Sequence, residues 1–208
     1  MKQKIIVIAI ALLCTPLFAA ETNLTAQQEA NYTKAIEGRT ADILKILALS
    51  DTNKIARVHD TIIAQYRALN AWHDANDAKL KAAHADTNAV AQIRVSLKAL
   101  HDQFLSRLAE NLTPEQVEAV KDKMTYGKVQ FTFKGYVTQY PNLSEENKQK
   151  ILEMLKEARE EAMDGGSAEE KTAVFQRYKG KINNYLSKQG IHPEKKKTAP
   201  QTDTEPAK

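Results

Sequence analysis

The sequence predicts an all-α protein, a single-domain bundle of about six helices with one extended, aromatic-rich segment near residues 125–140. Apolar residues recur every three or four positions over long stretches, which is the spacing of one face of an α-helix. Serine or threonine precedes glutamine or glutamate by three positions at several expected helix starts, which is the pattern of a capping box. With 42% hydrophobic and 27% charged side chains in 208 residues, the chain is long enough to bury a core.

The first twenty residues have the order of a secretory signal peptide. Two lysines precede an apolar run over residues 5–13, and small residues stand at Ala19 and Ala20. That run is about half the ~20 apolar residues that a membrane-spanning helix needs, and no later segment is apolar enough. The sequence therefore predicts a periplasmic or secreted protein without a membrane span in its mature chain. Cys14 lies in the removed segment, so no disulfide is expected.

Three long helices are expected in the first half of the mature chain. The first is predicted over residues 26–48, after a capping box of Thr25 and Gln28. A polar break at residues 50–53 precedes a second helix whose apolar stripe spans roughly 45 Å at about 1.5 Å per residue. A third helix follows the polar break at residues 86–88.

The second half contains shorter elements. Thr113 and Gln116 form a capping box that starts a helix ending near Met124. Between residues 125 and 140, apolar and polar residues alternate around Phe131 as they do in a strand, which predicts an extended segment. Ser144 is expected to cap the next helix.

A glycine-containing break over residues 164–167 precedes the last predicted helix, which starts at a capping box of Ser167 and Glu170 and stops near Gly190. Gly180 lies inside this helix and suggests that a neighbouring backbone approaches closely there. Residues 191–208 are rich in lysine and proline and are predicted to be a disordered tail. The domain organisation is thus a signal peptide over residues 1–20, a helical domain over 21–190 and the tail.

Charge and histidine spacing exclude two classes of partner. The net charge of +4 falls to about +1 without the signal peptide and the tail, which is too little for a nucleic-acid-binding face. The dipeptide His-Asp recurs at His59, His73 and His101, yet His59 and His73 lie roughly 20 Å apart along one helix. Helical zinc ligands are four residues apart, so the sequence predicts no metal site and no cofactor.

A cluster of carboxylates keeps an enzymatic function open. Glu157, Glu160, Glu161 and Asp164 fall on one helical segment, where two of them could act as a general acid and a general base. Neighbouring basic side chains could instead neutralise them as surface ion pairs. Because the chain has no nucleophile elbow, phosphate-binding loop or cysteine nucleophile, the sequence leans against catalysis without excluding it.

Aromatic residues in the second half suggest carbohydrate binding, because sugar rings stack their C–H faces on tyrosine while amides and charged groups bind the hydroxyls. The predicted ligand-binding residues are Tyr126, Tyr136, Tyr140, Tyr178, Lys179, Asn183 and Asn184. They would border a cleft between residues 125–140 and the last helix. The alternative is that most of these aromatics fill the core.

Four stretches resemble a known family. They read KDKMTYG from residue 121, PNLS from 141, EAREEAMD from 157 and YKGKINNYL from 178. They are similar to a family of secreted Bacteroidetes proteins of unknown function that carries a sugar-binding label, and the likeness covers residues 32–190. Lys123 occupies a position at which the sequence motif of the family has glycine. The resemblance implies a protein connected with polysaccharide utilisation, and it supplies no catalytic residues.

A second resemblance is to small helical periplasmic chaperones, which carry a Leu-Thr-x-x-Gln motif similar to residues 24–28 and 112–116. Helix capping alone also accounts for both motifs. The sequence therefore predicts an exported, noncatalytic carbohydrate-binding protein. The alternatives are a hydrolase or lyase acting on polysaccharide fragments and a periplasmic chaperone or scaffold. No oligomeric state is predicted.

Overall fold

The computed structural model describes the backbone of residues 17–194 and the side chains of residues 26–194. Over this range the chain forms helices and no strand, which confirms the all-α prediction. The helices are α1 (Leu17–Leu47), α2 (Thr52–Ala82), α3 (Thr87–Ala109), α4 (Pro114–Met124), α5 (Lys128–Gln139), α6 (Glu145–Met163) and α7 (Ala168–Lys188). None of the helices in the described range is long and apolar enough to cross a membrane.

Two predicted segments lie largely outside this description. Residues 1–16 of the signal peptide and 195–208 of the tail are outside the described residues. Both stay predictions.

The chain divides into two compact units, residues 1–39 and 40–208. In the first unit, residues 17–39 form one uninterrupted stretch of α1. The predicted helix start at residue 26 is therefore wrong. The capping pattern at Thr25 lies inside a helix that begins upstream, and it does not interrupt that helix. The second unit contains the end of α1 and helices α2 to α7.

Helices α2 and α3 pack together as a hairpin. Asp51 caps α2 by accepting hydrogen bonds from the backbone N–H groups of Asn53 and Lys54. Asp86 caps α3 in the same way after a four-residue connection, residues 83–86. Trp72 on α2 donates its indole N–H to Ser96 Oγ on α3 at 2.9 Å, so the two helices are also joined by a side-chain hydrogen bond.

Helices α6 and α7 form a second hairpin around the best-packed part of the core. Ile151, Leu155, Ala158 and Ala162 are fully buried on α6, and their spacing of three or four residues aligns them on one face. Residues of the same spacing on α7 pack against them, namely Phe175, Tyr178, Ile182 and Leu186. Each fully buried leucine or isoleucine contributes about 1.5–3 kcal/mol relative to an exposed one, so this interface stabilises the hairpin strongly.

The predicted extended segment at 125–140 is wrong, because most of it is helix α5. Val129, Phe133, Tyr136 and Tyr140 are spaced by four, three and four residues, which brings them to one helical face against the core. Phe131 produced the apparent alternation, and its side chain is 79% exposed. The additional helix makes seven in the described range, where about six were expected.

Two left-handed residues turn the chain between α4 and α5. Tyr126 has φ +60° and Gly127 has φ +64°. The N–H of Tyr126 donates to Lys123 O, and the N–H of Gly127 donates to Asp122 O at 2.8 Å. These are the two hydrogen bonds of a Schellman motif, with tyrosine at the position that glycine usually occupies.

Four local predictions have mixed outcomes. The capping box of Thr113 and Gln116 is present at α4, and Ser144 caps α6. Ser167 Oγ accepts from the N–H of Glu170, as expected, but the Glu170 carboxylate accepts from the N–H of Gly166 and not from that of Ser167. The close approach expected at Gly180 is wrong, since a Cβ atom there would meet no atom within 4 Å.

Candidate functional site

A cleft of about 650 Å³ opens between the α2–α3 hairpin and the α6–α7 hairpin. We call it the four-helix cleft. Its polar lining consists of His73, Asp77, Arg94, Lys98, His101, Glu160, Glu161, Asp164, Glu170 and Arg177. The rest of the lining is Trp72, Leu80, Leu97, Gly165, Ala173 and Val174. Ionisable side chains therefore outnumber apolar ones, although the walls are helices that are packed on a hydrophobic core.

Asp164 joins the two hairpins at the floor of this cleft. Its Oδ1 atom lies 3.0 Å from His101 Nδ1 on α3. Its backbone carbonyl accepts a hydrogen bond of 2.8 Å from His73 Nε2 on α2. The short connection between α6 and α7 is thus bound to both helices of the opposite hairpin.

His101 is held between two carboxylates. Its Nδ1 is bound by Asp164, and its Nε2 lies 3.5 Å from Glu160 Oε2. The interaction with Asp164 and then that with Glu160 raise the pKa of His101 to about 9, against the opposing effect of burial. The imidazole is therefore a cation at neutral pH, and only 12% of its side chain is exposed.

Glu160 and Asp164 have opposite pKa shifts. Burial alone would raise the pKa of Glu160, but hydrogen bonds from His101 and Lys121 lower it to about 2. Burial raises the pKa of Asp164 above its ordinary value, and the cationic His101 opposes that rise. Two carboxylates whose environments separate their pKa values are a common basis of acid–base chemistry.

Arg159 forms an ion pair with Glu160 on the side of that carboxylate that faces away from the cleft. The Arg159 side chain is 3% exposed, and its guanidinium lies 2.6 Å from Asp122 and 3.1 Å from Glu160. Burial would lower the pKa of Arg159, but the hydrogen bonds to Asp122 and Glu118 raise it. This network fixes α4 to α6 and orients Glu160 from behind the cleft wall.

Two arginines meet one carboxylate at the rim. Arg177 on α7 forms an ion pair with Glu161, and Arg94 on α3 lies 3.9 Å from the same Oε1 atom. About half of each arginine side chain is exposed. Both guanidinium groups are therefore oriented by Glu161 and still accessible to a ligand.

One group of residues in the described part of the chain could hold a metal ion. Potential ligand atoms of His73, Asp77 and Glu170 all lie within 4.8 Å of one another. Asp77 and Glu170 are about half exposed, whereas His73 is only 13% exposed.

Residues 33–202 match the family model described as "Protein of unknown function (DUF3826)". The protein belongs to this family. The match contains every residue that lines the four-helix cleft. No curated protein matches the sequence. The Bacteroidetes origin and the sugar-binding label that the resemblance implies are not part of this description and stay predictions.

The structure places the predicted carboxylates in two environments. Glu160, Glu161 and Asp164 line the four-helix cleft, together with the histidines described above. Glu157 is exposed on α6 and is not part of the lining.

The predicted tyrosine set lies mostly in the core around α5, α6 and α7. Tyr136, Tyr140 and Tyr178 are 6%, 7% and 8% exposed. Tyr136 Oη lies 2.8 Å from Asn183 Oδ1 and 3.1 Å from the Lys179 carbonyl, so the structure brings these three residues together. Burial raises the pKa of Tyr136 to about 12, which keeps its hydroxyl protonated as a donor.

The other two predicted residues have exposed side chains. Tyr126 is 50% exposed at the turn between α4 and α5, and Asn184 is exposed on α7. Neither lines the four-helix cleft. The binding role of the tyrosine set stays a prediction, with Tyr126 as its most accessible ring.

Sequence reasoning missed the histidines and arginines of the cleft. The repeated His-Asp dipeptides were the available signal for His73 and His101. Their structural partners, however, are Asp77 and Asp164 and not the adjacent aspartates. Arg94 and Arg177 carried no sequence signal, since isolated arginines on helices are usually solvated.

Proposed function

We propose that the protein is an exported, noncatalytic carbohydrate-binding protein whose binding site is the four-helix cleft. The observation that carries this proposal is the pair of half-exposed arginines that meet at Glu161, Arg177 from the same hairpin and Arg94 from the opposite one. Each sugar hydroxyl both donates and accepts a hydrogen bond, so it is matched by adjacent guanidinium and carboxylate groups of fixed orientation.

The remaining walls suit the apolar faces of a sugar. Leu80, Leu97 and Val174 line the cleft beside the charged groups and offer contacts to ring C–H groups. The volume of about 650 Å³ lies in the range of about 300–1,000 Å³ that is typical of small-molecule sites.

The ion pairs also lower the cost of binding. Each rotamer-rich side chain that a ligand must immobilise costs about 0.5–1.5 kcal/mol. Glu160 is already held by His101, Lys121 and Arg159. Part of the ordering that a ligand would otherwise impose is therefore present before binding.

The test is a thermal-shift screen of the protein against plant, algal and host oligosaccharides, followed by calorimetry with any glycan that raises the melting temperature. A ligand at a hundred times its dissociation constant should stabilise the protein by about 2.7 kcal/mol. Arg94→Gln should weaken binding, whereas Arg107→Gln should not, because Arg107 is exposed on the same helix and lies outside the cleft.

Two outcomes separate this proposal from its rivals. If no glycan shifts the melting temperature at millimolar concentration, carbohydrate binding is rejected. If a glycan binds but Tyr126→Ala abolishes binding while Arg94→Gln has no effect, the tyrosine side of the molecule is the site and the cleft is not.

A hydrolase or lyase acting on polysaccharide fragments is the second candidate. The observation that favours it is the contact of Glu160 and Asp164 with the two nitrogens of one cationic histidine, His101, inside the cleft. A general acid and a general base need such separated proton affinities.

Catalysis is tested by product formation from each glycan that binds. Asp164→Asn and Glu160→Gln should then abolish turnover, and Glu157→Gln should leave it unchanged because Glu157 lies outside the cleft. Binding without any product in the unaltered protein would reject the enzymatic candidate and leave the binding proposal intact.

A further inference from the structure

We propose that His73, Asp77 and Glu170 bind a divalent first-row transition-metal ion, Zn²⁺ above all, at the end of the four-helix cleft nearest the α6–α7 connection. His73 Nδ1 lies 2.9 Å from Asp77 Oδ1 and 3.9 Å from Glu170 Oε2. With metal–ligand distances of about 2.0–2.2 Å, two ligands of a tetrahedral zinc ion lie about 3.3–3.6 Å apart. The three side chains therefore need to move little to surround an ion.

The hydrogen bonding of His73 leaves the correct nitrogen available. Nε2 donates to the backbone carbonyl of Asp164 at 2.8 Å, and because a carbonyl can only accept, Nε2 carries a proton. Nδ1 lies 2.9 Å from Asp77 Oδ1, and because a carboxylate only accepts, Nδ1 either donates a proton to it or presents a lone pair to a cation between them. In the neutral ring, a metal ion bound by Nδ1 and the two carboxylates takes the place of that proton.

The residues around the three ligands orient them. Metal-binding histidines usually donate their second ring N–H to a carbonyl or carboxylate, as His73 does to Asp164. The N–H of Gly166 donates to Glu170 Oε2 at 2.9 Å. A Cβ atom on Gly166 would lie 2.8 Å from His73 Cγ, so this glycine lets the backbone pass directly over the imidazole ring. One backbone segment thus orients two of the three ligands.

The donor set decides the class of ion. One imidazole nitrogen and two carboxylate oxygens form a borderline set, which favours Zn²⁺ over Mn²⁺ and disfavours Mg²⁺ and Ca²⁺, whose preferred ligands are all oxygens. Two carboxylates also neutralise a divalent charge. Three protein ligands leave further coordination positions open, and these would face the cleft that all three residues line.

The sequence offered part of this site. His73 and Asp77 are four residues apart on α2, which is the spacing of helical metal ligands. The expectation of no metal rested on histidine pairs alone, and Glu170 comes from a helix 93 positions further along the numbering than Asp77, so the third ligand was not visible.

The experiment is a calorimetric titration of the chelator-treated full chain with Zn²⁺, at a pH above the ordinary pKa of histidine. We expect one ion per chain, and we expect His73→Gln and Glu170→Gln each to weaken binding by about tenfold or more. Asp74→Asn and Glu169→Gln are matched controls, because each removes an exposed acid beside a ligand without touching the site. These controls should change the affinity less than about twofold.

Two further measurements keep the proposal falsifiable if His73→Gln folds poorly. Glu170→Gln preserves the contact between His73 and Asp164, so its loss of affinity tests the site in an intact fold. Visible absorption of bound Co²⁺ reports nitrogen ligation directly. The proposal is overturned if Zn²⁺ does not bind, if Ca²⁺ binds equally well, or if Glu170→Gln and Glu169→Gln have the same affinity. No carbohydrate is needed, so failure here is independent of the proposed function.

Discussion

Gly166 lies against the ring of His73, where a Cβ atom would come within 2.8 Å of Cγ and 2.9 Å of Cδ2. The imidazole cannot easily yield, because Asp77 and the Asp164 carbonyl hold both of its nitrogens. Gly180 is the opposite case at the scale of one residue, since a Cβ atom there would meet open space within a regular helix.

These two glycines give a paired prediction. Gly166→Ala should destabilise the protein by about 1–3 kcal/mol, because the added methyl group overpacks the contact with His73. Gly180→Ala should stabilise it by about 0.5–1 kcal/mol, because alanine loses less backbone entropy in a helix. Urea unfolding of both variants measures the two free energies. Equal effects of the two substitutions would contradict the contact described for Gly166.

At the scale of elements, the turn between α4 and α5 contains a tyrosine where the backbone favours glycine. Left-handed backbone costs a residue with a side chain about 1–2 kcal/mol, and Tyr126 has φ +60°. Its ring is 50% exposed and therefore recovers little of this cost by burial.

Tyr126→Gly is thus expected to raise the free energy of unfolding by up to about 1 kcal/mol, because glycine adopts this φ without strain. Gly127→Ala should lower it by a similar amount, since alanine would be strained at φ +64°. Chemical denaturation of both variants checks the prediction. A loss of stability in Tyr126→Gly would mean that the exposed ring makes stabilising contacts outside the turn.

Helix starts were predictable because their signals are local. The aspartates, serines and threonine at the starts of α2, α3, α4, α6 and α7 accept hydrogen bonds from backbone groups two or three residues further on. Helix α5 was not predictable in this way, because its first residue follows Gly127, which makes no side-chain cap. A three-residue alternation around Phe131 fits a strand as well as it fits a helix with one exposed aromatic.

The cleft was only half predictable for a related reason. Glu160, Glu161 and Asp164 are close in sequence, so their proximity in space follows from helix geometry. His101 is 63 residues from Asp164 along the chain, and His73 is 91 residues from it. Which histidine of the several His-Asp dipeptides contacts Asp164 depends on how the two hairpins dock. Docking cannot be read from local patterns in one sequence.

At the scale of the whole molecule, the ionic groups between the hairpins couple stability to pH. His101 on α3 faces Glu160 on α6 and Asp164 after it, and Lys121 on α4 reaches the same Glu160 carboxylate. The pKa of His101 rises to about 9 in the folded protein, from an ordinary value of 6.5. The folded state therefore binds this proton more tightly than the unfolded chain does.

The sign of the pH dependence follows from linkage. The stabilisation from His101 is complete below pH 6.5 and is lost as the pH rises towards about 9. The stabilisation from Glu160, whose pKa falls from 4.5 to about 2, is complete above pH 4.5 and is lost as the pH falls towards about 2.

We expect His101→Gln to flatten the alkaline decline in melting temperature. His59→Gln is the control, since His59 pairs with the exposed Asp60 and lies outside the cleft. An unchanged alkaline decline in His101→Gln would show that another group titrates there.

The attachment of the α6–α7 connection to both α2 and α3 also bears on the order of folding. Each hairpin closes a connection of four residues and can form quickly from neighbouring parts of the chain. The contacts of Asp164 close loops of 63 and 91 residues, which cost more chain entropy. We therefore expect docking of the two hairpins to be slower than formation of either hairpin. His101 and His73 contact the carboxylate and the carbonyl of Asp164 in that same step, so we expect the cleft to form only when both hairpins are docked.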